Sequence, residues 1–399
     1  MLTKIILLVS TINTGDIANA NATLNSLTDE LKKNEVINID ANGIDKDIAS
    51  IYQRATAKQE EKYLILAIGE KGGHALDYLS KNNLINPENS YVYWSMHQYT
   101  DLINEHKRLH LNHIMIPETA LNFAKQEIVR KVPNSTLTFA VPTSNPSEQE
   151  LQKAYNNWDI SDKPALEGKY IIVMLPGDAP DAEGNIRCFT KKSAEDLFVK
   201  VKALWDKTGK DSTIIVQNGP RTGKHDPSSK DLKHPQVICT HEYKKGEDEL
   251  QAVDQVSKHF TELLAKNKIN YKFFNFTFQI DGEKKVAQSV FNPLLYLATK
   301  NNHNYFILPG ESVSMIGQIP LYLSPSQVLV FKPDSMNESH QTILDLGFKR
   351  GYVSCFADNG SVINPENATK RSADDAVQVA RDIEQGYERK FSNAKFHSI

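Results

Sequence analysis

Ser312 and Ser314 lie just past a Pro309-Gly310 turn, between the apolar run 305–308 and a second run ending at Leu323. The order predicts strand, tight turn, short helix, strand. It sets Ser312 and the open backbone N–H groups of a helix start at the carboxyl end of a strand. Open α/β sheets bind ligands there, and such N–H groups attract phosphate. These residues point to a nucleotide or phosphate-ester site in the C-terminal half. A nucleophile elbow needs G-x-S-x-G, and Gly310-Glu-Ser312-Val-Ser314 lacks the second glycine. A helix cap without a ligand is the structural alternative for both serines.

Other chemistry-bearing residues also follow predicted strands. Arg221-Thr222 comes after the strand 212–217 and an Asn218-Gly219-Pro220 turn. A guanidinium matches two oxygens of a pyrophosphate and keeps its charge; a solvent-facing loop arginine is the plain alternative. The glycines around it are too close together for a P-loop. Gly177-Asp178 follows the strand 170–175, where glycine lets backbone approach a ligand; a simple turn is the alternative. Gly15-Asp16 holds the equivalent place after the first strand of the chain. Gly69 to His74 and Trp94 to His97 follow other strands. His106, His110 and His113 are spaced like helical metal ligands, but they run into a strand at 113–116 and are expected to be solvated. His225, His234, Cys239 and His241 lack compact zinc spacing. No metal site and no bound cofactor are expected.

The elements that must position these residues alternate along the chain. Strands are predicted at 5–9, 36–39, 63–68, 91–94, 113–116 and 137–141, with helices at 18–31 and 146–158. A polar, proline-containing linker at 159–164 follows. The pattern restarts with strands at 170–175, 212–217, 271–276, 305–308, 328–331 and 352–355, and helices over 190–205, 248–266, 292–299 and 337–346. A last helix covers 372–389. This alternation predicts α/β units around mostly parallel sheets. The expected plan is a first domain over 1–160, a second over 169–365, and a C-terminal helix at 371–390 packing back on the first. A cleft between two such domains is a natural ligand site.

The chain has 399 residues, 40% hydrophobic, with a formal net charge of -3. Two domains are the default at this length, and a balanced charge implies no nucleic-acid partner. No apolar run reaches the length of a signal-peptide core or a membrane span. Cys188, Cys239 and Cys355 show no CxxC spacing. A soluble protein of a reducing, cytoplasmic compartment is the expectation.

The sequence resembles the mitochondrial-fission "elongated mitochondria" family in several blocks, taken in order. Glu311-Ser-Val-Ser-Met-Ile-Gly-Gln318 is similar to the family's T-x-D-S-V-S-M-[IV]-S-E-A. Asn292-Pro293 to Ala298 is similar to its N-P-Y-x-x-x-L-A, and Ile214 to Thr222 to its strand ending in S-R-R-T. Gln318 stands where the family has Glu, and Glu311 where it has Asp. The family looks like GT-B glycosyltransferases: two Rossmann-like domains in a GT-B arrangement, with a nucleotide-sugar site mostly on the second. The resemblance implies metal-independent glycosyl transfer, with phosphate contacts from Ser312, Ser314 and Arg221 and a ribose contact from Gln318. An inverting transfer needs a base for the acceptor hydroxyl; Asp16 is the first candidate and His97 the second. The rival implications are a non-catalytic binding or scaffold protein, with peripheral membrane contact, and a nucleotide-sugar hydrolase or epimerase.

Overall fold

A computed structural model of the chain describes residues 3–11, 14–58, 60–96, 101–118, 120, 132, 134–143, 145–158, 160, 163–181, 183–282, 284–372 and 374–392. The chain divides into two compact units, Met1–Asn145 with Ala373–Ile399, and Pro146–Ser372. Each is a Rossmann-like α/β unit with its own sheet and core.

The first unit is built on β1 (Thr3–Val9), β2 (Glu35–Asp40), β3 (Lys62–Ile68), β4 (Ser90–Ser95), β5 (Leu111–Pro117) and β6 (Ser135–Thr138). They form one parallel sheet in the order β2-β1-β3-β4-β5-β6. The inner strands β1, β3 and β4 are buried along almost their whole length because both faces are covered, whereas the edge strands β2 and β6 are partly exposed. Ile6 and Leu8 of β1 join a core with Tyr52, Leu76 and Trp94. Ile5, Leu7 and Val9 point the other way, onto Val379, Ala380 and Ile383 of the C-terminal helix Asp375–Ser392.

Several expected boundaries move. The helix read over 18–31 is Thr14–Ser26 followed by a short Asp29–Lys32 turn. The strand read over 137–141 is β6, where Thr136 and Thr138 are buried and Leu137 is exposed. Gly69 to His74 opens the helix Gly69–Lys81. A Cβ on Gly72 would lie 2.7 Å from the Leu8 carbonyl oxygen, and one on Gly73 2.6 Å from the Trp94 ring. The glycines let this helix lie against the sheet. His106 and His113 are buried rather than solvated.

The second unit contains β7 (Tyr170–Met174), the β8 (Ala179–Pro180) and β9 (Ile186–Arg187) hairpin, β10 (Thr213–Gln217), β11 (Glu242–Lys244) and β12 (Tyr271–Phe274). It continues with β13 (Thr277–Asp281), β14 (Lys284–Gln288), β15 (Tyr305–Pro309), β16 (Val328–Phe331), β17 (Ser354–Phe356) and β18 (Val362–Ile363). The main sheet runs β12-β10-β7-β15-β16-β17-β18, parallel except for β18. A small sheet, β11-β13-β14, lies outside it.

The division between units falls at 145/146, before the expected linker. The helix Glu148–Asn156, started by a Ser147–Glu150 capping box, stays with the second unit. Its Tyr155 hydroxyl donates to the Pro164 carbonyl at 2.6 Å, and its ring packs on Tyr296. The helix read over 248–266 breaks at Asp254. That carboxylate accepts from the N–H groups of Val256 and Ser257 and restarts the chain as Gln255–Lys266.

Candidate functional site

In the second sheet the chain leaves β7 for β10 and β12, then returns on the other side as β15. The order reverses between β7 and β15, and ligand crevices of such sheets open at the carboxyl ends of these two strands. Gly177, three residues beyond β7, donates its N–H to Glu311 Oε1 at 2.7 Å. Glu311 lies two residues beyond β15. The next amide, of Asp178, donates to the Arg221 carbonyl at 2.9 Å. A Cβ on Gly177 would lie 2.9 Å from Arg221 Cβ, so this approach requires glycine. The loops after β7, β10 and β15 therefore meet at one point.

The predicted site residues divide at this point. Pro309 ends β15 and pairs with Phe331, and the Gly310 amide donates to the Phe331 carbonyl at 2.8 Å. Ser312 precedes the six-residue helix Val313–Gln318, but its hydroxyl does not cap it. Its oxygen lies 3.4 Å from that of the exposed Ser314. The two hydroxyls lie next to one another just past β15, and the cap expected as the alternative is not made. Gln318 is buried at the far end of that helix. Arg221 is exposed. Thr222 is fully buried, and its hydroxyl accepts from the Gly219 amide at 2.9 Å; it holds the turn that presents Arg221.

Charge at the crevice is unusual. Burial pushes the Glu311 carboxyl up to about 7, against the pull of the Gly177 amide and Arg221. Its Oε2 has no hydrogen-bond partner among the described residues. Burial, with the Arg221 and Arg187 charges, pushes the His340 imidazole down to about 4. Asp178 is buried and accepts from the Phe189 amide, the His225 amide and His225 Nδ1, each at 2.9 Å. Glu311, His225, His340 and Arg187 were not predicted as site residues. Glu311 was legible as the acid beside the turn, whereas Asp178 and His225 stand 47 residues apart and carry no local signal.

The first sheet has its own reversal, between β1 and β3. Asp16 sits there, in the first turn of the helix after β1, and is buried. A Cβ on Gly69, the first residue after β3, would lie 2.5 Å from Asp16 Oδ1. Burial and the nearby Glu70 raise the Asp16 carboxyl to about 6. Below it, Asn19 Nδ2 donates to Ser95 Oγ at 2.6 Å. At the end of β2, Asp40 accepts from Thr11 and Asn42 and holds the adjacent loop. His97 lies outside the described residues. Among the described residues no group of three or more His, Cys, Asp or Glu could hold a metal ion, and no helix is long and apolar enough to cross a membrane.

No protein-family model matches the sequence, and no curated protein does. Solved structures show a distant likeness along the full length. A glycosyltransferase from Rickettsia africae ESF-5 is 11% identical with a TM-score of 0.42, covering 100% of both chains. An alpha,alpha-trehalose-phosphate synthase (UDP-forming) from Burkholderia xenovorans, in complex with glucose-6-phosphate, is 8% identical with a TM-score of 0.45, covering 99% of this chain and 100% of that one. The trehalose-6-phosphate protein from E. coli bound with UDP-2-fluoro glucose is 9% identical with a TM-score of 0.42, covering 98% and 99%. Likeness this distant decides neither arrangement nor activity.

Proposed function

We propose that this chain is a GT-B-type, glycosyltransferase-like protein that binds a nucleotide sugar on its second unit without a metal. The observation that carries the reading is the meeting of Gly177, Glu311 and the Arg221 turn at the reversal of the second sheet. A diphosphate would take the Gly177 amide from Glu311 and pair with the Arg221 guanidinium. Ser312 and Ser314 offer hydroxyls beside it. Gln318 is retained as the ribose contact only on the family resemblance, since its burial requires the helix end to open. Asp16 is the proposed base for the acceptor hydroxyl. Its raised carboxyl is ionised above about pH 6, so turnover should fall as pH drops below that value.

A second reading has its own support. The Gly177 amide is already occupied by the Glu311 carboxyl, which suits a binding or scaffold protein of the fission-family type that has lost turnover. The test is a thermal-shift and calorimetric screen of nucleoside diphosphates and their sugars, followed by sugar-release and transfer assays. Transfer by the wild type that collapses in Asp16→Asn, with donor binding kept, supports the transferase. Tight diphosphate binding without turnover on a broad acceptor panel supports the binding protein. Absence of any nucleotide binding removes both.

A further inference from the structure

Among the histidines of this chain that sit in polar contacts, including His241 and His259, three near or between the loops and the core differ in what is left over. His113 has Nε2 2.8 Å from Thr136 Oγ1 and Nδ1 3.5 Å from the Tyr91 hydroxyl, so both nitrogens are engaged in the core. His340 uses Nδ1 to accept from the Asn337 amide in a helix-capping box. His225 is held through Nδ1 by the fully buried Asp178 carboxylate. Nothing among the described residues is hydrogen-bonded to its Nε2, and its side chain is 14% exposed. Asp178 does not need the ring for satisfaction, because two backbone amides already donate to it. The carboxylate does two things to the ring. With the carboxyl ionised, it orients the ring and places the proton on Nδ1, and it leaves Nε2 as the nitrogen able to meet a ligand. The pair lies on the loops that bring Gly177 and Arg221 together, since the Asp178 amide donates to Arg221.

We propose that Asp178 and His225 form an oriented proton-carrying pair for the phosphates of the ligand, with Nε2 of His225 as the donor and Asp178 as its positioning residue. The inference rests on the nucleotide-sugar reading above and assigns that site a group which the sequence did not reveal. As the diphosphate approaches, Nε2 takes a proton from solvent and donates a hydrogen bond to a phosphate oxygen. In transfer, the bond between sugar C1 and the diphosphate oxygen breaks and its electron pair moves to that oxygen. The bond from C1 to the acceptor oxygen forms, and the acceptor proton goes to the base. The imidazolium stabilises the departing phosphate charge.

The surrounding groups define the experiment. The elements around the pair also carry Arg187, Cys188, Arg221, Lys224, Asp226, Glu311, Asp334 and His340. Burial and nearby carboxylates keep the Cys188 thiol neutral, at about 11, and burial with the nearby arginine charges keeps His340 neutral, at about 4. Glu311, pushed to about 7, titrates within the pH span of the experiment and needs its own control.

Affinity for UDP, GDP, ADP and inorganic pyrophosphate is measured by calorimetry from pH 5.5 to 8 on the full chain, for wild type, His225→Gln and Glu311→Gln. Protonation of the ligand affects all three proteins equally and cancels in their ratios. The expected result is a wild-type to His225→Gln affinity ratio near one at pH 8 that rises about tenfold by pH 6, the scale of one charge-assisted hydrogen bond. Glu311→Gln should keep that His225-dependent rise. In parallel, the imidazole carbon-bound proton of His225, followed by NMR in the wild type, should titrate at higher pH with ligand than without. This second measurement stands if His225→Gln fails to fold. A nucleoside diphosphate bound with the same ratio at every pH, or an imidazole titration unmoved by ligand, overturns the pair and leaves the nucleotide reading intact. If no nucleoside diphosphate binds, that reading falls and pyrophosphate decides: pH-dependent binding through His225 supports the pair, and no binding overturns it.

Discussion

Glu311 shows how much one side chain can decide. A carboxyl moved by burial from 4.5 to about 7 reports a cost of about 3 kcal/mol for its charge. The folded protein holds this proton more tightly than the unfolded chain, so the contribution is full below pH 4.5 and is lost as pH rises toward 7. Glu311→Gln keeps an acceptor for the Gly177 amide and removes the titration. The variant should gain stability over the wild type by pH 8 and show a flatter melting temperature between pH 5 and 8, read by thermal denaturation. Equal pH slopes would show that Glu311 is not the buried proton carrier. Arg221 is the complementary case. Its backbone closes the site and its side chain is exposed, so Arg221→Ala should fold normally. It should weaken diphosphate binding by about 1.5–3 kcal/mol, the scale of a hydrogen bond to a charged group; unchanged affinity in calorimetry removes it from the site.

Among the elements, the C-terminal helix is fixed by a directional chain of hydrogen bonds. Thr136 Oγ1 donates to Asp382 Oδ2 at 2.6 Å, so its lone pair must accept from His113 Nε2–H at 2.8 Å. Burial pushes His113 down to about 4 and keeps it neutral. Tyr387 adds a hydroxyl contact to Thr3 at 2.8 Å. Asp382→Ala strands the Thr136 hydroxyl and should cost about 1–3 kcal/mol, seen in urea denaturation as a lower midpoint with unchanged slope; an unchanged midpoint would show that the chain does not hold the helix. None of this was legible from 372–389, where only the spacing of Ala376, Val377, Val379, Ala380 and Ile383 announced a helix, and of these Val377 is exposed. The main strands were legible because residues such as 63–68 and 328–331 are apolar on both faces. β11 and β14 were not, since their side chains are mostly exposed and carry no pattern. Gly69–Lys81 was hidden because its glycines serve packing against Leu8 and Trp94 instead of a turn. Of the site, Gly177, Asp178 and Arg221 could be found from their places after strands. Thr222 could not be separated from Arg221, because only the folded turn shows that its hydroxyl is used internally.

For the whole molecule, the two units have separate cores: Ile6, Tyr52 and Trp94 in one, Ile171, Phe260 and Leu329 in the other. A chain with two such cores has no obligation to unfold in a single step. The proposed donor contacts Gly177, Arg221 and Ser312 all belong to Pro146–Ser372, whereas Asp16 belongs to the first unit. A nucleoside diphosphate lacks the acceptor and should therefore act on the second unit. At 100 times its dissociation constant it should stabilise that unit by about 2.7 kcal/mol. Hydrogen exchange should show the gain in β7, β10 and β15, with β1, β3 and β4 unchanged. Calorimetry should then show the ligand moving one of two transitions. Protection confined to β1 and β3 would put the nucleotide at Asp16 and reverse the assignment of donor and acceptor units. Equal protection of both sheets would mean that the units unfold together, and the separate cores would not be separate in energy.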